Sequence, residues 1–200
     1  MRFQVVGVLL TGLVLTAGCT FLSEPESRAD EHSVQSDVRM TLTSSKAEYT
    51  REEQIALSIG LTNTGRTDCT VGRVSEGTVT IVSFLRDGVP VAPAVTNGSY
   101  INGFADFLSA NLVPLRPGAS LSVPWTSEGG TSLEDRRALR TSSLDNFDEA
   151  ALAFWAVDVP GKYELSARYV HPLLPAAPPA GNPCVASGEA ASVAFTVTGG

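Results

Sequence analysis

What most limits the folding of this chain is a period-two alternation of apolar and polar residues, in short runs that each end at a turn signal. Ile55, Leu57, Ile59 and Leu61 alternate with Ala56, Ser58, Gly60 and Thr62. That spacing sends the apolar side chains to one face of an extended strand, whereas on a helix it would scatter them around the axis. The same alternation runs through Val38, Met40 and Leu42, through Leu121, Val123 and Trp125, through Tyr163, Leu165, Ala167 and Tyr169, and through Val193, Phe195 and Val197. Thr78 to Leu85 is dense in β-branched and aromatic residues, and Asp87-Gly88 behind it predicts a tight hairpin. Pro90 has no N–H to donate, which confines the second arm, Val89 to Val91, to a sheet edge. Asn63-Thr64-Gly65, Leu115-Arg116-Pro117-Gly118 and Val159-Pro160-Gly161 are further turns. About seven such strands predict an all-β fold, an antiparallel two-sheet sandwich rather than a barrel or an α/β fold.

Between Ser127 and Asp158 the alternation fades. Ser132-Leu133-Glu134-Asp135 has the form of a helix start, and the alanine-rich stretch from Asp145 to Phe154 predicts a further helical turn or two. The expectation is a short helical insertion on the sandwich. Pro172 to Pro183 is a loop rich in proline and alanine that leads to Cys184.

The N-terminus carries a different signal. Arg2 is followed by an apolar run from Phe3 to Leu15, and Leu15-Thr16-Ala17-Gly18-Cys19 places small residues before a cysteine. This segment resembles the bacterial lipobox, with Thr16 where that pattern prefers leucine. The resemblance implies that Cys19 receives a diacylglyceryl group and becomes the first residue of the mature chain; the alternative is an ordinary signal peptide that leaves Cys19 as a thiol. Residues 20–37 are polar, including Glu24-Pro25-Glu26-Ser27-Arg28-Ala29-Asp30-Glu31, with little to bury. The expected organisation is a lipoprotein signal peptide over 1–18, the lipidated cysteine and a disordered tether over 19–37, and the sandwich domain over 38–198. No later stretch is long and apolar enough to form a membrane-spanning helix.

Of three cysteines, assigning Cys19 to lipid leaves Cys69 and Cys184, an even pair that predicts a disulfide in an oxidising compartment. A redox pair is the alternative, without Cys-x-x-Cys spacing to support it. A net charge of −7 and a pI near 4.8 argue against nucleic acid as a partner. The partners expected are the membrane, through the lipid on Cys19, and an envelope protein or small ligand. The location expected is a cell membrane or outer membrane, facing an extracytoplasmic compartment.

Glu48-Tyr49 leading into Ile55 to Asn63, then Asp87-Gly88, Leu115-x-Pro117-Gly118 and Pro160-Gly161-x-Tyr163, together resemble bacterial immunoglobulin-like domains. Their order is similar to the BsuPI-type proteinase inhibitor family. The resemblance spans about Val38 to Val197 and implies an immunoglobulin-like sandwich serving as an interaction or spacer module, or an inhibitor with a protease-binding loop.

Chemistry-bearing patterns are sparse. His171 is the only histidine of the folded part, with no Gly-x-Ser-x-Gly elbow to accompany it. Neither His-Glu-x-x-His nor paired cysteines propose zinc, and Asp145, Asp148 and Glu149 lack the frame of a calcium loop. No catalytic residue, metal or cofactor is assigned. Tyr100, Ile101, Phe104 and Phe107, joined by Trp125 and Trp155, form an apolar and aromatic set that is the candidate contact surface; the alternative is that these rings cap the core. The leading expectation is a non-enzymatic binding or scaffolding lipoprotein, followed by a protease-inhibitor-like domain and then by an enzyme with an unrecognised site at His171.

Overall fold

A computed structural model describes residues 38–96, 103–129, 137–144, 150–172, 174, 182–186 and 188–199, all within the unit Ser33–Gly200. The signal segment, Cys19 and the residues before Val38 lie outside the described residues. In chain order the strands are β1 Val38–Ser44, β2 Glu48–Thr50, β3 Ala56–Asn63, β4 Cys69–Gly72, β5 Val79–Arg86, β6 Val89–Pro90 and β7 Ala94–Thr96. Helix α1, Phe104–Ala110, follows. The remaining strands are β8 Leu112–Leu115, β9 Ser120–Thr126, β10 Glu128–Gly129, β11 Arg137–Leu144, β12 Ala150–Ala156, β13 Gly161–Tyr169 and β14 Ala191–Thr198.

One sheet has the order β1-β3-β9. Met40 lies opposite Leu61, and Ile59 opposite Val123, so the alternating residues fall in register and are buried together. The outward residues are small and hydroxylated: Ser58 and Ser122 are hydrogen-bonded at 2.8 Å, as are Thr62 and Ser120. Pro124 fits because β9 is an edge strand. The facing sheet has the order β2-β14-β13-β5-β6. Most of its pairs are antiparallel, but β2 runs parallel to β14, which departs from the wholly antiparallel expectation. At the hairpin, Asp87 (φ 51°) and Gly88 (φ 77°) both adopt the positive φ of a two-residue turn matched to strand twist, and Pro90 sits on the edge strand β6.

The inward faces of the two sheets form one core. A row of rings crosses it: Tyr49 meets Phe195 edge-on at 6.0 Å, Phe195 stacks on Tyr163 at 5.3 Å, Tyr163 on Phe84 at 5.4 Å, and Phe84 meets Trp155 edge-on at 6.0 Å.

A further sheet, in the order β10-β11-β12-β7, and the pair β4-β8 are built from the connections. Here the expected helical insertion is corrected. Ala150–Ala156 is a strand, paired with β11 from Ala138 opposite Ala156 to Leu144 opposite Ala150, and flanked by β7 on its other edge. Trp155 packs against Phe84, whereas Ala150 and Leu152 pack with Phe104 and Leu108 of α1. A strand covered on both faces reads as a continuous apolar run, and its alanines look like helix formers until the neighbouring ladders are in place. Ser132 to Asp135 and Asp145 to Glu149 lie outside the described residues. The helix stands instead at Phe104–Ala110, behind Gly103, whose φ is 78°.

Cys69 and Cys184 form a disulfide across a sequence separation of 115, with Cα atoms 4.9 Å apart. It pins the segment 182–186 between β4 and the start of β1. The Thr70 N–H donates to the Asn182 carbonyl at 2.7 Å, Cys184 N–H to Thr70 at 3.0 Å, and Val38 N–H to Val185 at 3.1 Å. The strap thus covers the first residue of an edge strand that would otherwise offer an unpaired N–H.

Tyr169 ties β13 to β4, its hydroxyl accepting the Gly72 N–H at 3.1 Å. Burial pushes its phenol up to about 12, against the smaller pull of that N–H. A folded-state value above the ordinary 10.0 means that the fold favours the protonated ring. Its contribution is complete below pH ~10 and is lost as pH rises through ~12, a fall of roughly 2 to 3 kcal/mol at 1.36 kcal/mol per unit. Denaturant unfolding at about pH 9 and pH 11.5 should show this fall, and Tyr169→Phe should flatten it. Burial raises Tyr163 in the same direction, so some slope stays. An unchanged slope in Tyr169→Phe would show that Tyr169 does not carry the effect.

Candidate functional site

The expected contact surface is divided by the fold. Phe104 is 0% exposed and Trp125 is 2% exposed, so both belong to the interior and are corrected as contact residues. Trp125 donates its indole N–H to the Arg140 carbonyl at 3.0 Å, satisfying the one polar atom its burial would otherwise strand. Trp155 is half-buried, its N–H directed at Thr141 Oγ1 at 3.2 Å. Phe107 keeps an exposed face while stacking on Phe104 with centroids 6.0 Å apart. Tyr100 and Ile101 lie outside the described residues. Rings of this size gain most from full burial, which is why proximity in sequence did not make them a surface.

Around α1, the connections pack closely against the helix. A Cβ placed on Gly77 (φ +68°) would stand 2.7 Å from Leu108 Cδ2, so glycine permits both the backbone turn and the approach of the helix. The Arg73 N–H donates to the Asn111 carbonyl at 2.9 Å, and its Nε donates to Asn111 Oδ1 at 2.9 Å. Asn63 is the hub of the end of the sandwich where β1 begins, since it lies opposite Val38. Its Nδ2 donates to Thr67 and Leu115 carbonyls at 2.9 and 2.8 Å, and its Oδ1 accepts from Gly65 N–H at 2.8 Å. Its own carbonyl accepts the Gly118 N–H at 2.8 Å.

Between the connection after β4 and the C-terminal part of β9 lies a cleft of about 220 Å³ walled by residues 73–76, Pro124 to Thr126, Glu128 and Arg140. The Arg140 guanidinium holds Glu76 Oε1 at 2.9 Å and Glu128 Oε2 at 3.2 Å. One arginine bridges two carboxylates, a charge cluster that ties the 73–76 connection to β10 and β11. Sequence reasoning missed it: Arg140 and Glu76 are separated by 64 residues, and no local pattern marks either.

His171 is not drawn into a catalytic arrangement among the described residues. Its Nδ1 lies 3.1 Å from the Pro172 carbonyl, and its Nε2 is buried with no hydrogen-bond partner among them. Burial lowers the imidazole's pKa, partly offset by that carbonyl. Also among the described residues, no cluster of three or more His, Cys, Asp or Glu is disposed to hold a metal ion, and no helix is long and apolar enough to cross a membrane.

No protein-family model matches the sequence, and no curated protein matches it. Among solved structures, the chain is similar to a β-glucosidase from Erythrobacter marinus at 15% identity and a TM-score of 0.38. That similarity covers 82% of this chain but 16% of the glucosidase, so the chain spans a small fraction of that protein's length.

Proposed function

We propose that this chain is a lipid-anchored, non-enzymatic binding or scaffolding lipoprotein of the bacterial cell envelope, with an immunoglobulin-like sandwich as its working domain. The observation that carries the reading is the disulfide. Cys69 and Cys184 are consumed by each other, and such a bond belongs to an oxidising compartment. That leaves Cys19, behind an apolar run and Leu15-Thr16-Ala17-Gly18, as the one cysteine available for lipid. Two or more acyl chains on it would make a lasting anchor.

The immunoglobulin-like reading is supported by strand order. If β1, β3, β5, β9, β13 and β14 are taken as strands A, B, C, E, F and G, the sheets read A-B-E and, after the short parallel β2, G-F-C with β6 as C′. Tyr163 near the start of β13 donates its hydroxyl proton to the Val159 carbonyl at 2.7 Å, the form of a tyrosine corner. The disulfide differs from the strand B to strand F bridge of antibody domains, since it joins the connections before β5 and before β14.

Palmitate labelling and intact mass of the mature chain test the anchor. The expected mass begins at Cys19 and includes a diacylglyceryl group, and Cys19→Ala should abolish labelling and release the chain from membranes. Crosslinking in the native envelope followed by affinity capture tests the binding role. A specific envelope partner that is reduced in Cys19→Ala supports it, and hydrolysis of an envelope component by the purified protein overturns it.

A further inference from the structure

We propose that the chain pairs with a second copy of itself through the outer face of the β2-β14-β13-β5-β6 sheet, about a twofold axis that crosses β13 at Ser166. The pairing concerns the sandwich alone and does not depend on the lipidation of Cys19.

The alternation that turns Tyr163, Leu165, Ala167 and Tyr169 into the core turns Lys162, Glu164, Ser166 and Arg168 outward. Glu164 and Arg168 are both exposed and flank Ser166 at equal distances along the strand. A twofold axis that lies in the plane of the interface and runs across the strands at Ser166 sends position 164 of one copy to position 168 of the other. Each copy then sets its Glu164 against the other's Arg168, so a single attraction is made twice. Arg168 is in no ion pair among the described residues. Glu164 meets Lys162 through Oε1 at 2.8 Å, with the two side chains 50% and 62% exposed. An ion pair so open to water contributes little, and Glu164 Oε2 is left for the arginine.

The neighbouring strands fit the same axis. Ser83 of β5 and Ser192 of β14 lie opposite Ser166, so the axis passes over small side chains that permit close approach. The register of β5 against β13 shifts beside Ser83, which leaves Val82 without a partner on β13 and 56% exposed. Standing next to the axis, Val82 meets its own counterpart. A twofold axis along the strands would instead bring Glu164 to Glu164 and Arg168 to Arg168, so charge selects the antiparallel arrangement.

The outer face of the β1-β3-β9 sheet has no such complement. Arg39 is the one charged residue its strands turn outward, and the hydroxyls of Ser58 and Ser122, and of Thr62 and Ser120, already bond to each other. Strands β14, β13 and β5, of 8, 9 and 8 residues, present roughly 400 Å² of flat face at the usual strand spacing and rise. That is small for a stable complex, which buries about 800 Å² on each partner. The dimer should therefore be weak, with a dissociation constant in the micromolar range or above.

The experiment uses the purified full chain carrying Val82→Cys and a short bismaleimide crosslinker. A second preparation carries Val89→Cys, at a residue that is 64% exposed on the edge strand β6. Cys19 is common to both, so crosslinking through it cannot separate them. The yield of crosslinked dimer at position 82 should exceed that at position 89 at least ~5-fold. In the Val82→Cys chain, Glu164→Arg or Arg168→Glu alone should lower that yield several-fold, since each sets like charges together, and the two combined should restore it by reversing the pair. Both side chains are exposed, so the monomer should unfold as before, and recovery in the combined variant excludes misfolding as the cause of the loss. Equal yields at positions 82 and 89 overturn the dimer face. A yield at position 82 that neither single reversal lowers, or that the combined variant fails to restore, overturns the pairing of Glu164 with Arg168 and with it the proposed axis.

Discussion

Replacing Cys69 and Cys184 together by alanine should lower the unfolding free energy by about 4 to 5 kcal/mol, and the melting temperature by roughly 10 to 20 °C. The sequence separation of 115 is the main reason. A crosslink across so long a loop removes much of the freedom of the unfolded chain, and on the chain-entropy account the stabilisation grows with the logarithm of loop length. A local contribution points the same way. With the bond gone, the strap 182–186 is held against β4 and β1 by the Thr70, Cys184 and Val38 hydrogen bonds, each contributing about 1 kcal/mol net. Both cysteines are nearly fully buried, Cys69 at 3% and Cys184 at 1% exposure, so reductant should open the bond slowly under native conditions and quickly once the chain is unfolded. Denaturant titration of the oxidised protein and of the double variant checks the magnitude. A loss below about 1 kcal/mol would mean that the strap's packing, and not the crosslink, sets its position.

Phe195→Ala should cost about 3 to 5 kcal/mol, the range for emptying a buried aromatic site. Phe195 is 2% exposed and lies between Tyr49 on one side and Tyr163 on the other. Removing it strips apolar area from water-free packing and also interrupts the row of rings that continues through Phe84 to Trp155. The neighbours are poorly placed to collapse into the gap. The Tyr163 hydroxyl is committed to Val159, and the Tyr49 hydroxyl contacts Ser44, Ser45 and the Ala56 carbonyl at 2.8, 3.0 and 3.0 Å. Phe195→Leu keeps most of the volume and should cost about 1 to 1.5 kcal/mol. Unfolding of the two variants side by side separates the role of the ring from that of simple bulk. Equal losses would show that the ring itself, and not the space it fills, carries the stabilisation.

The strands legible in the sequence were those with one covered face. Ile55 to Leu61, Leu121 to Trp125 and Tyr163 to Tyr169 announce themselves because one side of each meets the core and the other meets water. Asp87-Gly88 and Pro90 were equally legible, since a two-residue turn and a missing N–H act through the backbone of the residues that carry them. The candidate site was much less so. Phe104 and Trp125 carry the same ring chemistry as an exposed anchor, and only their neighbours make them interior. Likewise Arg140 and Glu128, on the paired strands β11 and β10, meet Glu76 from the distant connection between β4 and β5.

From its residues alone, then, this chain determined its all-β character, the inward set of each half-covered strand, its main turns and the one cysteine pair of the folded part. Those are properties of short stretches, in which the alternation of side chains across a strand records which side avoids water. The tertiary structure decided what lay on the other side of each stretch. It made Ala150–Ala156 a strand by ladders on both edges and cover on both faces. It set β2 parallel to β14, sent Phe104 inward while leaving Phe107 at the surface, and gathered the loops around Asn63 and the disulfide. Burial and long-range pairing depend on which partner arrives, and a local pattern holds no record of its partner.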